Sequence, residues 1–156
     1  MRHLLPCLLP FLFLLFPSSC EKELEDYRDV FTGEFLFTTV RHSWVYGIPM
    51  QYDTSTFTFE GEVRINHAGD DNADLYSDPD SLNPDSTLFI EFLDGQAVLT
   101  EISEEGVFVP RGGYHYYCTG SFLNTDELVF SVGGLGGLGG GYSYAVSGIR
   151  IPVGDK

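Results

Sequence analysis

The chain has 156 residues, which suits one domain and is too short for two ordinary ones. Its formal net charge of −15 repels phosphate backbones, so nucleic acid is excluded as an expected partner. The abundance of aromatic residues (13 Phe and 9 Tyr) and of glycine (18 residues) favours an all-β domain.

The first twenty residues, MRHLLPCLLPFLFLLFPSSC, have the layout of an export signal. Arg2 and His3 supply a short positive start, and an apolar stretch from Leu4 to Phe16 follows. That stretch is too short for a stable transmembrane helix and is typical of a cleaved signal peptide. We therefore predict that residues 1–19 form a signal peptide.

The residue after this signal is Cys20, and a cleavage site that ends in cysteine is the pattern of lipoprotein signal peptidase substrates. In such proteins the cysteine carries several acyl chains, palmitate among them, which together give durable anchoring. Cys20 is therefore the predicted lipid attachment site, and residues 20–28 are the predicted lipidated cysteine and charged tether. An ordinary secretory signal followed by a chance cysteine is the alternative.

The run from Glu21 to Asp26 is rich in acidic residues. Acidic residues directly after the lipidated cysteine resemble the surface-export signal of Bacteroides-type lipoproteins. The resemblance implies a lipid-anchored protein of the cell envelope, at the outer membrane, whose domain faces the periplasm or the cell surface.

Alternation of apolar and polar residues predicts strands from Phe31 onward. The clearest are Phe31–Val40, with Phe35 and Phe37 facing inward, and Thr56–Asn66. Asp94-Gly95, a strong hairpin signal, separates two further strands at Leu88–Leu93 and Gln96–Ile102. The remaining strands are predicted at Val107–Val109, Tyr114–Leu123, Glu127–Val132 and Tyr142–Ile151.

No segment shows a convincing helical period, so residues 29–156 are predicted to form an all-β domain. A sandwich is possible for this number of strands. We predict an antiparallel up-and-down barrel of about eight strands, because closure of the sheet removes exposed strand edges.

These segments resemble small calycin-like (lipocalin-like) β-barrel lipoproteins of the Bacteroides type, most of them without an assigned function. The pattern YxxxFxGxF from Tyr27 to Phe35 resembles the opening strand of that family, and YxVxGxR from Tyr144 to Arg150 lies in the last strand. In lipocalins an arginine from the end of the barrel covers a tryptophan of the first strand. Phe35 stands in that place here, and Arg150 is the late arginine that could cover it.

The acidic segment before the third strand is a candidate calcium site. Asp70, Asn72, Asp74 and Asp78 offer oxygen ligands at alternating positions. However, the glycine and glutamate of an EF-hand loop are absent from this spacing, so a solvated loop is the preferred interpretation. Whether the Asp70–Asp85 loop binds calcium stays open.

No catalytic residue is predicted, and neither is a metal or a cofactor. His42, His67 and His115 lack zinc-site spacing, and no Gly-x-Ser-x-Gly elbow is present. Cys118 is interpreted as a small buried hydrophobe.

Two groups of residues could shape a binding site. Glycines dominate residues 133–141, which form either a flap over a barrel mouth, with Leu135 and Leu138 as apolar contacts, or a plain hairpin connection, which is preferred. Aromatic residues could stack on sugars or apolar ligands, although filling of the core is the preferred role. They are Trp44, Tyr46, Tyr52, Tyr114, Tyr116 and Tyr117.

The predicted function is a non-enzymatic binding or interaction module, held in the envelope by the lipidated Cys20 and specific for a small apolar ligand, a glycan or a partner protein. The alternative is a structural or accessory subunit of an outer-membrane assembly, with a solid barrel. A lipid- or sugar-acting enzyme is the third hypothesis. A barrel interior filled by side chains would count against a ligand held inside it.

Overall fold

The computed structural model describes residues 26–66, 82–113, 116–136, 139–152 and 154. This part of the chain is all-β, with eight strands in one sheet and two short 3-10 helices, Tyr27–Phe31 and Pro84–Ser86. The strands are β1 (Gly33–Val45), β2 (Gln51–Ile65), β3 (Thr87–Leu93), β4 (Gln96–Glu101), β5 (Arg111–Gly113), β6 (Tyr116–Asn124), β7 (Glu127–Gly136) and β8 (Gly140–Arg150). None of the described segments is a helix long and apolar enough to span a membrane.

The strands follow the order β4-β3-β2-β1-β8-β7-β6-β5, and all pairs are antiparallel. Strands that follow each other in the chain are therefore neighbours in the sheet, except β4 and β5, which lie at its two edges. The first and last strands, β1 and β8, also pair. The bridges Ile102↔Phe108 and Val107↔Ser121 connect the end of β4 to β6 through the segment before β5, so the barrel is nearly closed. The predicted antiparallel up-and-down barrel is confirmed.

The hairpin predicted at Asp94-Gly95 is present, and Gly95 has a φ of +66°, which favours glycine. The glycine-rich segment differs from expectation, since most of its described residues are strand rather than loop. Gly133 pairs with both Tyr117 and Ser143. The ring of Tyr117 occupies the space that a Cβ at Gly133 would need, so glycine lets an aromatic ring lie against the sheet.

The barrel interior is filled by large apolar side chains. Phe92 lies at its centre, with ring centroids 5.4 Å from Phe130 and 5.6 Å from Tyr144. Phe35 and Phe37, predicted to face inward, are fully buried. The other buried members of this core are Phe31, Val63, Leu88, Ile90, Val98, Ile102, Phe108, Cys118, Phe122, Leu128, Val132 and Val146.

One end of the barrel, which we call the closed end, is covered by the first 3-10 helix. The Tyr27 hydroxyl donates to the carbonyl oxygen of Ile102 at 2.9 Å. The Arg28 guanidinium is buried, donates to the carbonyl oxygen of Thr87 at 3.1 Å and pairs with Asp26 at 2.6 Å. Contacts of the domain thus begin at Asp26, within the segment predicted as a tether.

At the opposite end β1 and β2 continue beyond the neighbouring hairpin. Among the described residues β2 pairs with β3 only from Val63 to Ile65, whereas it pairs with β1 from Gln51 to Val63. The end of β3 turns inward instead, where the Thr39 hydroxyl donates to the carbonyl oxygen of Phe92 at 3.2 Å. The β1–β2 hairpin therefore extends past β3, and we call residues 44–52 the hairpin tip.

Candidate interaction surface

Several residues singled out in the sequence lie outside the described part of the chain. They are Cys20, the calcium candidates Asp70, Asn72, Asp74 and Asp78, and His67, Tyr114, His115 and Leu138. The lipid anchor and the calcium loop therefore remain predictions.

The contact that the family resemblance implies between the first strand and a late arginine is present. The guanidinium carbon of Arg150 lies 4.9 Å from the centroid of the Phe35 ring, which is a cation–π geometry. Arg150 also donates to the carbonyl oxygens of Val30 at 2.8 Å, of Thr125 at 2.6 Å and of Thr32, and pairs with Asp126 at 3.0 Å. One side chain thus ties the segment before β1 to the β6–β7 turn.

Within the described residues, Cys118 and His42 show no arrangement typical of a catalytic or metal site. Burial raises the pKa of the Cys118 thiol to about 12, so the thiol is protonated at neutral pH and is no nucleophile. His42 is exposed, and its Nδ1 lies 3.1 Å from the Thr54 hydroxyl. No group of three or more His, Cys, Asp or Glu in this part of the chain could hold a metal ion.

The outside of the barrel, in contrast, carries an extended surface without charged residues. Four neighbouring strands, β6, β7, β8 and β1, form it, and their registers place outward side chains in rows. One such row is Val40, Ala145, Ser131 and Thr119. The surface is bordered at the closed end by two exposed outward carboxylates, Glu34 of β1 and Glu127 of β7, which pairs with Ile149. The outward residues of this uncharged face are Leu36, Thr38, Val40, His42 and Trp44 on β1; Gly141, Ser143, Ala145, Ser147 and Ile149 on β8; Val129, Ser131 and Gly133 on β7; and Tyr117, Thr119, Ser121 and Leu123 on β6.

The centre of the uncharged face is a shallow depression of about 400 Å³. Small side chains line it, among them Thr119, Ser131, Ala145 and Ser147. Because these residues are short, the backbone of the sheet lies close to the surface, and a flat partner can approach it. Charge depletion of this kind is typical of the centre of an interface.

A neighbouring part of the wall has the opposite character. Glu34, Glu60, Glu62 and Glu91 line a second depression, of about 250 Å³, where β1, β2 and β3 adjoin. The contrast shows that the negative charge of the chain is distributed unevenly over the barrel. A partner with little charge of its own would leave the carboxylates of the acidic wall desolvated and unpaired, and it avoids this cost on the uncharged face.

The hairpin tip borders the uncharged face. Trp44 is half-buried, and its ring lies where a Cβ at Gly141 would be, so it covers the outside of β8. Tyr46 and Tyr52 are 60% and 75% exposed, and the apex residue Ile48 is fully exposed. For these two tyrosines the preferred core-filling role is therefore wrong, because β1 and β2 carry them beyond the barrel core.

The uncharged face was not predicted from the sequence. A signal for it is present, since outward positions of β6 and β8 read Tyr117, Thr119, Ser121, Leu123 and Ser143, Ala145, Ser147, Ile149, without a charge. Alternation alone assigns these residues to the outside. It does not show that four such strands are neighbours, because that depends on the pairing of β1 with β8.

The fold and surface define an antiparallel up-and-down β-barrel protein with an aromatic core and an uncharged outer face. No protein family, curated protein or solved structure matches this chain.

Proposed function

We propose that this protein is a lipid-anchored envelope lipoprotein that acts as a non-enzymatic interaction module and binds through the outside of its barrel. The uncharged face is the single observation that carries the proposal. On a chain with a net charge of −15, the outward positions from Leu36 to Trp44 on β1, and those that pair with them along β8, β7 and β6, carry no charge and form a surface suited to a neutral partner.

The filled interior supports binding on the outside rather than within the barrel. Phe92, Phe108 and Phe130 occupy the positions where a ligand-binding barrel keeps a cavity. This arrangement corresponds to the alternative of a solid barrel that serves an envelope assembly. The Arg150–Phe35 contact is consistent with the resemblance to lipocalin-like lipoproteins and bears on the fold rather than on a ligand.

The anchor is tested with Cys20→Ser in the producing cell. The variant is expected to lose labelling by radioactive palmitate and to move from the membrane fraction to the soluble fraction, with an unchanged far-UV circular dichroism spectrum. The reason is that Cys20 supplies the sulfur for acylation, while the described core begins only at Asp26. Labelling that persists in the variant would refute the lipid anchor.

The interaction surface is tested by photo-crosslinking in cells from a benzophenone side chain at Ser147, an exposed residue of the uncharged face. We expect a discrete adduct, and we expect Ala145→Arg in the same chain to abolish it, because Ala145 pairs across the face with Val40 and Ser131. The matched control is Val109→Arg, which adds the same charge at an exposed residue outside the face. An adduct that survives Ala145→Arg would contradict binding through this face.

A further inference from the structure

We infer that the hairpin tip, residues 44–52, inserts into the interfacial region of a phospholipid bilayer. The inference rests on the proposed function, because the tip belongs to the same uncharged exterior and the inference names what the tip binds. It commits to a zwitterionic bilayer as the occupant, and a protein partner is an outcome that the test can reveal.

The exposure of the tip carries the first part of the argument. Five large apolar or aromatic side chains are exposed within eight consecutive residues, and they are Val45, Tyr46, Ile48, Met50 and Tyr52. Single exposed hydrophobic residues are ordinary on protein surfaces, whereas a contiguous cluster at a projecting apex indicates a contact site. Trp44, Tyr46 and Tyr52 combine an apolar ring with a polar group, the chemistry that suits the boundary between headgroups and acyl chains.

The tip also carries no formal charge. No Asp, Glu, Lys or Arg occurs between Arg41 and Asp53, although charged residues make up 20% of the chain. The surface of anionic lipids repels a protein with a net charge of −15, so zwitterionic lipids fit this chain better. A charge-free apex lets such a protein touch lipid without placing a charge in a medium of low polarity.

The backbone of the tip is compatible with lipid. Residue 45 pairs with both Gln51 and Gly140, and the Tyr46 amide donates to the carbonyl oxygen of Gly139 at 2.5 Å. Pro49 has no amide hydrogen to satisfy. Unpaired backbone groups are costly in the acyl region, so a hairpin that is paired close to its apex inserts at lower cost than an open loop.

The position of the tip relative to the predicted anchor defines an orientation. Asp26 lies at the closed end, and β1 runs from that end to the tip, with Leu36 and Trp44 on its outward side. An anchored barrel that lies on its side therefore meets one bilayer at both ends. The lipid chains of Cys20 hold one end there, and this proximity raises the effective concentration of the tip at the same bilayer.

Trp44 is the only tryptophan, so its fluorescence reports on the tip alone. The processed, acylated chain is reconstituted into phosphatidylcholine vesicles, with or without lipids brominated near the headgroup end of the acyl chains. We expect brominated lipid to quench Trp44 by about twofold and the emission to shift to shorter wavelength, as for an aromatic residue at interfacial depth.

The variant Ile48→Asp is expected to remove the quenching, because it places a charge at the apex. Val30→Asp is the matched control, since Val30 is 54% exposed at the closed end, and this variant is expected to keep it. In the unacylated Cys20→Ser chain, Ile48→Asp is expected to lower the vesicle partition coefficient by roughly tenfold, the loss that corresponds to one apolar side chain withdrawn from lipid.

The failure of this inference can be distinguished from failure of the anchor. Acylated protein that stays with the vesicles while brominated lipid leaves Trp44 unquenched would retain the anchor and overturn insertion of the tip. Quenching in the Cys20→Ser chain at high vesicle concentration supports the tip independently of the anchor. A benzophenone at Tyr46 that forms one discrete protein adduct in cells, with Trp44 unquenched by lipid, would assign the tip to a protein partner and overturn the inference.

Discussion

Replacing Phe92 with alanine is expected to lower the free energy of unfolding by about 3–5 kcal/mol, the range for aromatic residues removed from a packed core. Phe92 is 1% exposed and contacts the rings of Phe130 and Tyr144 edge-on. Its backbone is also held, since its carbonyl oxygen accepts a hydrogen bond from Thr39. With the backbone fixed in this way, the surrounding side chains relax only partly, and a cavity remains.

The measurement is urea denaturation of residues 21–156, which contain the whole described core, followed by circular dichroism. Leu123→Ala is the control, because Leu123 is 59% exposed, and its loss is expected to change stability by less than about 0.5 kcal/mol. Equal midpoints for the two variants would show that Phe92 is not part of a close-packed centre.

The same pair of proteins tests the solid barrel. Native mass spectrometry is carried out with a benzene derivative added as a small aromatic ligand. The unaltered barrel is expected to show only the mass of the protein, because aromatic side chains fill its interior. The Phe92→Ala barrel is expected to gain a bound molecule, since an apolar cavity of sufficient size stays dry and accepts apolar ligands. A ligand already bound to the unaltered barrel would contradict the solid interior and restore the hypothesis of a ligand held within it.

Much of the fold was predictable because alternation is a local property. Phe35 and Phe37 recur at every second position and are both buried, and Asp94-Gly95 marks a turn through residues that tolerate positive φ. The family resemblance added one correct non-local contact, between Phe35 and Arg150, which are more than a hundred residues apart.

The ends of β1 and β2 were predicted less well. Alternation is strong from Phe31 to Val40, whereas Arg41–Val45 mixes charged, polar and aromatic residues. These residues are strand because they pair with β2 on one side and with β8 on the other. Pairing across such sequence distances is a tertiary effect, and a local pattern does not contain it.

The candidate surface escaped prediction for the same physical reason. Ala145 and Thr119 belong to one row only because β6, β7 and β8 pair in a particular register. A shift of one residue would send each side chain to the other face of the sheet. The lipid anchor differs from this case, because the leader and Cys20 are contiguous, so the sequence alone carries that prediction.

Replacing Arg150 with alanine is expected to lower the free energy of unfolding by about 2–4 kcal/mol, through the loss of charge-assisted hydrogen bonds and of the cation–π contact. The guanidinium donates to three backbone carbonyl oxygens and covers Phe35, whose ring is fully buried. Its ion pair with Asp126 contributes little, because the Asp126 side chain is 68% exposed. The stability of the closed end therefore depends on the planar guanidinium group and its several N–H donors more than on the positive charge.

Arg150→Lys separates these two contributions, because it keeps the positive charge and removes the planar guanidinium group. It is expected to recover less than about half of the lost stability, since one ammonium cannot reach carbonyls on two segments while it covers a ring. Amide hydrogen exchange locates the effect. The Ile151 amide donates to the carbonyl oxygen of Glu34 at 2.9 Å, and in both variants we expect it to exchange faster. The amides of the β3–β4 hairpin are expected to keep their protection relative to global unfolding. Full stability in the lysine variant would show that charge alone holds the closed end, and the packing of Arg150 over Phe35 would then contribute nothing to the barrel.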